Sequence, residues 1–323
     1  MHCKGTSRGS TSKFQLVRQP DTFAHAPRSL LACHRVPRGV CGPFHHRRAS
    51  LCADHSRIDR DPRRRHRCPD RPRELLRQTE AADFVLLGEI HDNTLHHQVR
   101  GALLTAARAR RPAVVFEQFA RTVAPIPPPA PGETEEAWLD AHSFDREGWK
   151  WPLHAPVVNA AIAHARAIWG SGLSREALRA VVRQGTDAAP PPLGQLVRQA
   201  PLDSVEKAAV DHELFAGHCG KLPSAMMPGM RAAQEVRDAS MTEALIAAGS
   251  AGPAWLIAGN GHVRMDIGVP RLLRRLAPDR QLLVIGIVER GTEEAVPGMA
   301  AGRHYDVLIV TPAATREDPC SGL

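Results

Sequence analysis

Phe84-Val-Leu-Leu87 runs straight into Gly88-Glu-Ile-His91, and a second apolar run, Ala113-Val-Val-Phe116, ends in Glu117-Gln118. Short apolar runs of this kind, closed by Gly or by charge, read as buried strands. Between them His96–Arg110 carries Val99, Leu103, Leu104 and Ala107 at helical spacing, and Asp92-Asn93-Thr94 supplies an N-cap. Strand, helix and strand in so short a span predict a right-handed βαβ unit with a parallel strand pair. The polar residues then fall at strand ends, where an open α/β sheet places its ligands.

Strands return late in the chain. Trp255-Leu-Ile-Ala258 ends in Gly259-Asn-Gly-His262, a Gly-x-Gly turn; Leu282–Val288 and Asp306–Val310 follow, with a helix at Val269–Leu276 between. The middle reads as helical: Glu135–Ala141, Pro156–Ile168, Arg175–Val182, Asp203–Phe215 and Met230–Ala248, interrupted by the proline-rich loops Pro125–Gly132 and Asp187–Pro192. The expected fold is therefore α/β, a central, mostly parallel sheet flanked by helices, with a helical insertion or subdomain at about 133–250. The folded domain is expected over 78–316, followed by a short tail, 317–323.

Residues 1–77 hold 18 of the 42 Lys and Arg but only 6 of the 34 Asp and Glu, so this segment carries net +12 and the remainder net −4. The basic character belongs to the segment, which shows no helical or strand period. It reads as a disordered tail or as a start assigned too far upstream. A nucleic-acid arm would want aromatic interleaving, and a metal tract would want ligand spacing; it has neither. No nucleic-acid partner is expected for the folded domain. Five of the seven cysteines lie in this segment, and Cys219 and Cys320 stand alone in the body, so no disulfide framework is expected there. No apolar run is long enough for a membrane-spanning helix, and neither a secretory nor a lipoprotein signal is evident, although Ser29-Leu-Leu-Ala-Cys33 faintly resembles a lipobox.

If the first three strand ends meet, Glu89, His91, Glu117 and His262 share one crevice. Two carboxylates and two imidazoles suit a divalent metal, or acid–base work on a bound water. Each also has a plain structural reading: a solvated carboxylate, a helix cap, a histidine satisfied by a carbonyl. His96 and His97 sit in the first helical turn. Gln234, Arg237 and Asp238 share one turn of a later helix, from which Arg237 and Asp238 can reach the crevice or form a surface pair. Arg264 follows His262 and suits a carboxylate or propionate. Trp149, Trp151 and His154 form an aromatic segment, read as a cofactor wall or as ordinary core. No nucleophile elbow, P-loop or dinucleotide fingerprint is present.

Leu87-Gly-Glu-Ile-His-Asp-Asn93 with His97-Gln98, Val115-Phe-Glu-Gln-Phe-Ala-Arg121, Phe144-Asp-Arg-Glu-Gly-Trp149 with Pro152–Val157, Met230–Met241 and Ile257-Ala-Gly-Asn-Gly-His-Val-Arg264 resemble, in order, the motifs of the ChaN-like haem-binding uptake family. The resemblance covers about 80–310. It implies an α/β domain with a smaller helical part and a haem-binding role in iron uptake. It further implies a periplasmic or cell-envelope address, often as a lipoprotein, and haem held with the help of a homodimer. For this chain it points to His154, Trp149, Trp151, Arg237 and Arg264 around haem. Relatives commonly have Tyr where His154 stands, and this chain's single tyrosine is Tyr305. The wider superfamily includes erythromycin-esterase-like and Tiki-type members thought to be metal-dependent hydrolases. That implies the alternative, in which Glu89, His91, Glu117 and His262 hold Mn, Co or Zn for hydrolysis.

Overall fold

Each apolar run forms a strand of one sheet, and alternate side chains go to opposite faces. The computed structural model describes residues 49–51, 71–291, 304–318 and 320–321. In chain order the elements are β1 (Ala49–Leu51), α1 (Arg71–Ala81), β2 (Phe84–Leu87), α2 (Thr94–Ala106), β3 (Ala113–Ala120), α3 (Glu135–Ala141), α4 (Ala155–His164), β4 (Ala167–Gly172), α5 (Arg175–Gln184), α6 (Leu193–Gln199), α7 (Ser204–Gly217), α8 (Met227–Ala248), β5 (Ala254–Ile257), α9 (Asn260–Val263), α10 (Val269–Leu276), β6 (Leu282–Glu289) and β7 (Val307–Thr311). The expected tail, 1–77, lies largely outside the described residues; the parts of it that are described are β1 and the first residues of α1, where the sequence showed no period.

The seven strands lie in the order β1-β7-β6-β2-β5-β3-β4, and every pair is parallel. Val85, Leu87, Val114, Phe116, Trp255 and Ile257 pack on one face with Leu104 of α2 and Val157 and Val158 of α4. Phe84, Leu86, Ala113, Val115, Ala254 and Leu256 pack on the other with Met241 and Leu245 of α8 and Val269 and Leu273 of α10. Burial of each large apolar side chain is worth about 1.5–3 kcal/mol, and coverage on both faces explains why these strands read as continuous apolar runs.

Three details differ from the sequence reading. β2 and β3 are parallel but not neighbours, because β5 lies between them. The helix expected through Ile168 stops at His164, and Ala167–Gly172 is the edge strand β4. Gly259-Asn-Gly-His262 does not end in a simple turn; Asn260–Val263 form the short helix α9. A disulfide, Cys219–Cys320, also joins the body to the C-terminal segment across 101 residues, against the expectation of none; one isolated pair gives no spacing pattern to detect.

Candidate functional site

The insertion of β5 builds the site. Leu87, Ile257 and Phe116 stand side by side in register, so the residues just beyond them emerge together at one sheet edge. α2 starts at the same edge. Asn93 caps it by accepting from Leu95 N at 3.0 Å. Its buried face presents His96, His97 and Arg100 beneath the β2–α2 turn.

Glu89 is the hub. Its side chain and that of Arg100 are both fully buried, and Arg100 Nη2 donates to Glu89 Oε2. His97 Nδ1 lies 3.0 Å from the same oxygen. Arg100 Nη2 also approaches that nitrogen at 2.8 Å, and His97 Nε2 donates to His91 O at 3.0 Å. The other carboxylate oxygen, Oε1, accepts from Gln118 Nε2 at 3.2 Å and pairs with His91 Nδ1 at 2.8 Å. Burial works against the charge on Glu89. Arg100 and the imidazoles of His154, His91 and His97 outweigh it and hold the carboxyl well below its ordinary 4.5.

Glu117 is the second hub. Gly259 N donates to its Oε2 at 2.9 Å and Arg237 Nη2 to its Oε1 at 2.7 Å. His262 lies between two carboxylates, its Nε2 3.4 Å from Glu117 Oε1 and its Nδ1 2.6 Å from Asp238 Oδ1. The Gln234 amide lies 3.1 Å from Nδ1 as well. Burial opposes the imidazolium, but Glu117 and Asp238 raise its pKa from 6.5 to about 9. Glu117 is lowered in turn, its burial outweighed by His262, His91 and Arg237.

His91 connects the hubs. Its side chain is 45% exposed. Burial opposes charge on its ring, but Glu89 and Glu117 raise its pKa above 6.5; in the neutral form, with Nδ1 donating to Glu89, Nε2 carries the lone pair and faces Gly259, where a Cβ would sit 2.9 Å from Nε2 and 3.8 Å from Glu117 Oε2. The Trp149 ring stands edge-on at 5.0 Å. Glu89, His91, Gly259 and His262 share a cavity of about 370 Å³ with Gln234 and the apolar Val210, Leu214 and Ile267.

The structure thus brings Glu89, His91, Glu117 and His262 to one sheet edge. His154 lies below rather than in the cavity. It is 1% exposed, its ring 4.1 Å from that of His97 and its Nε2 3.5 Å from Glu89 Oε1. Burial lowers its pKa, so it stays neutral. Trp149 and Trp151 are partly buried against the core, and Trp151 packs on Phe144. Arg264 pairs with Glu213 and, at 2.7 Å, with Asp266, and is only 8% exposed; a propionate would have to displace both carboxylates. Arg237 keeps 35% of its side chain exposed beside Glu117. Arg100 and Gln118 were not anticipated. The signal for Arg100 was its position, three and four residues after His97 and His96 on the face that α2 buries.

A haem group needs an iron ligand that solvent can reach. Tyr305 is 2% exposed and packs on Gly286, and His154 is buried. His91 is half-exposed, has a free Nε2 and has its Nδ1 held by a carboxylate, the support that orients and strengthens an imidazole ligand. Of these three side chains, His91 is the one a haem iron could reach from solvent, so the residues present can accommodate the group.

Comparison with known proteins agrees with this architecture. The solved structure of ChaN of Campylobacter jejuni, with cofacial heme bound, matches over 73% of this chain and 90% of that chain, with a TM-score of 0.56 at 17% identity. That degree of identity speaks to the fold alone. No curated protein sequence matches the chain. The model of the family described as haem-binding uptake, Tiki superfamily, ChaN matches residues 75–273. The chain belongs to this ChaN family of haem-binding uptake proteins.

Proposed function

We propose that this chain is a haem-binding protein of an iron or haem uptake system, with His91 as iron ligand and the haem site completed by a second copy of the chain. The observation that carries this reading is the geometry of His91. Its imidazole is half-exposed beside Trp149, and Glu89 fixes its tautomer so that Nε2 is free. Haem supplies an iron whose axial position an imidazole fills. Trp149 offers an apolar edge, and Arg237, the more exposed of the two arginines, faces a propionate.

The heme bound cofacially by the Campylobacter protein supports a dimer. The Cys219–Cys320 disulfide supports an oxidising compartment, the periplasm or cell envelope. No helix among the described residues is long and apolar enough to cross a membrane. The hydrolase alternative draws less support, because Glu117 is already held by Arg237 and Gly259 N, and His262 Nδ1 by Asp238.

Hemin titrated into the purified full chain tests this. The expected result is a saturable, shifted Soret band that His91→Ala abolishes or moves, with a rise in molecular mass on loading. A spectrum like that of free hemin, or one that His91→Ala leaves alone, overturns the reading.

A further inference from the structure

Beneath the cavity, several buried polar atoms have no hydrogen-bond partner. His154 is one of them: it is 1% exposed and neither ring nitrogen has a hydrogen-bond partner among the described residues, as with Nε and Nη1 of Arg100 and Oε1 of Gln118 beside it. Burying an imidazole without hydrogen-bond partners is unfavourable. His154 precedes α4 without capping it and packs on the rings of His97, Phe144 and Trp149, contacts that need neither ring nitrogen. The ring is instead aimed at Glu89, with Nε2 3.5 Å from Oε1, too far for a hydrogen bond.

We propose that Glu89 Oε1, His91 Nδ1 and His154 Nε2 bind one divalent transition-metal ion. One potential ligand atom from each of these residues lies within 4.8 Å of the other two, the spread expected around an ion with bonds of roughly 2.0–2.2 Å. The carboxylate is prepared for the task. Arg100 and His97 hold Oε2, which leaves Oε1 facing the two imidazoles. Gln118, fully buried, steadies Oε1 from the side. Such outer contacts set the direction of a ligand.

Binding replaces the Nδ1–H···Oε1 hydrogen bond of His91. The neutral ring coordinates as its other tautomer, with its single proton on Nε2; from the imidazolium form the Nδ1 proton is released to solvent. His154 gains the partner it lacks. Because Arg100 already balances the charge of Glu89, the ion is held by nitrogen donors more than by charge. That selects Zn, Co, Ni or Cu and disfavours Mg and Ca. Glu117 and His262 stand outside this set, committed to Arg237, Gly259 and Asp238.

The metal uses Nδ1 of His91 and the haem reading uses Nε2, so the test is run on haem-free, chelator-treated full chain, and its failure leaves the haem reading standing. Equilibrium dialysis against Zn(II) or Co(II) should give one ion per chain, and Mg(II) should not bind. His154→Gln should weaken Co(II) binding by roughly tenfold or more, while His164→Gln on the outer end of α4 leaves it unchanged. X-ray absorption of the Zn-loaded, unmodified chain should show two imidazoles and oxygen, a readout independent of whether any variant folds. No bound Zn or Co, a shell with a single imidazole, or loss in His262→Gln with none in a folded His154→Gln overturns the site.

Discussion

Glu89 and Arg100 form an ion pair in which neither side chain reaches solvent. Nε and Nη1 of Arg100 have no other partner among the described residues, so Glu89 is the counter-charge of this guanidinium. Removing one member of such a pair leaves a buried charge alone. Glu89→Gln should lower unfolding stability by about 3–5 kcal/mol, as read from urea denaturation. The double variant Glu89→Gln with Arg100→Met should recover much of that loss. A single variant as stable as the parent contradicts the pairing.

The imidazoles set the pH range of stability. His96 is bonded to Ile90 N and Thr311 and buried, and burial takes its pKa from 6.5 down to about 4. Its contribution is present above 6.5 and lost as pH falls toward 4. His262 has the opposite sign. Burial opposes its charge, but Glu117 and Asp238 raise its pKa from 6.5 to about 9, so its contribution is complete below 6.5 and lost as pH rises through 9. Stability should therefore peak near pH 6.5 and fall on both sides. Chemical denaturation across this range checks it, and His262→Gln should flatten the alkaline limb alone.

Gly259→Ala separates site from fold. Gly259 has φ −65°, which alanine adopts freely. The new methyl would press on Nε2 and Cε1 of His91, at 2.9 and 3.0 Å, and the half-exposed ring can swing away. Stability should change little, within about 0.5 kcal/mol, while hemin affinity falls because Nδ1 leaves Glu89. Unaltered hemin binding in this variant would count against His91 as the ligand.

Cys219 and Cys320 close a loop of 101 residues. Opening it with Cys219→Ser should cost about 2–4 kcal/mol, and a reductant should lower the melting temperature of the parent but not of the variant. Equal melting with and without reductant would show that the bridge does not form.

Much of this was legible in the sequence. The apolar runs gave β2, β3, β5, β6 and β7, and α3 and α10 begin and end where periodicity places them. Convergence of Glu89, His91 and His262 followed from polar residues at strand ends; Glu117 was read as one too, but β3 runs on to Ala120, and Glu117 lies within it, just past the last residue paired with β5. β4 was hidden because Gly170 and Gly172 break its pattern. Both are there because β3 passes so close, with Ala120 O and Glu117 O in the place of a side chain. The position of β5 was hidden for a different reason: periodicity reports that a strand exists, not who its neighbours are. Arg100 was not singled out because its partner lies outside its helix, across the β2–α2 turn.

The placement of β5 has a consequence for synthesis. Until residues 254–257 have left the ribosome, β2 and β3 have nothing between them. A nascent chain that has made both early strands still has the facing edges of β2 and β3 unpaired, and β2 awaits β6 on its other side as well, edges of the kind that pair with other chains. Closure joins segments roughly 140 and 170 residues apart along the chain, a slow, non-local step. Truncation ahead of Ala254 should yield aggregate rather than a half-built pocket, and holding factors that shield strand edges should matter most in that interval.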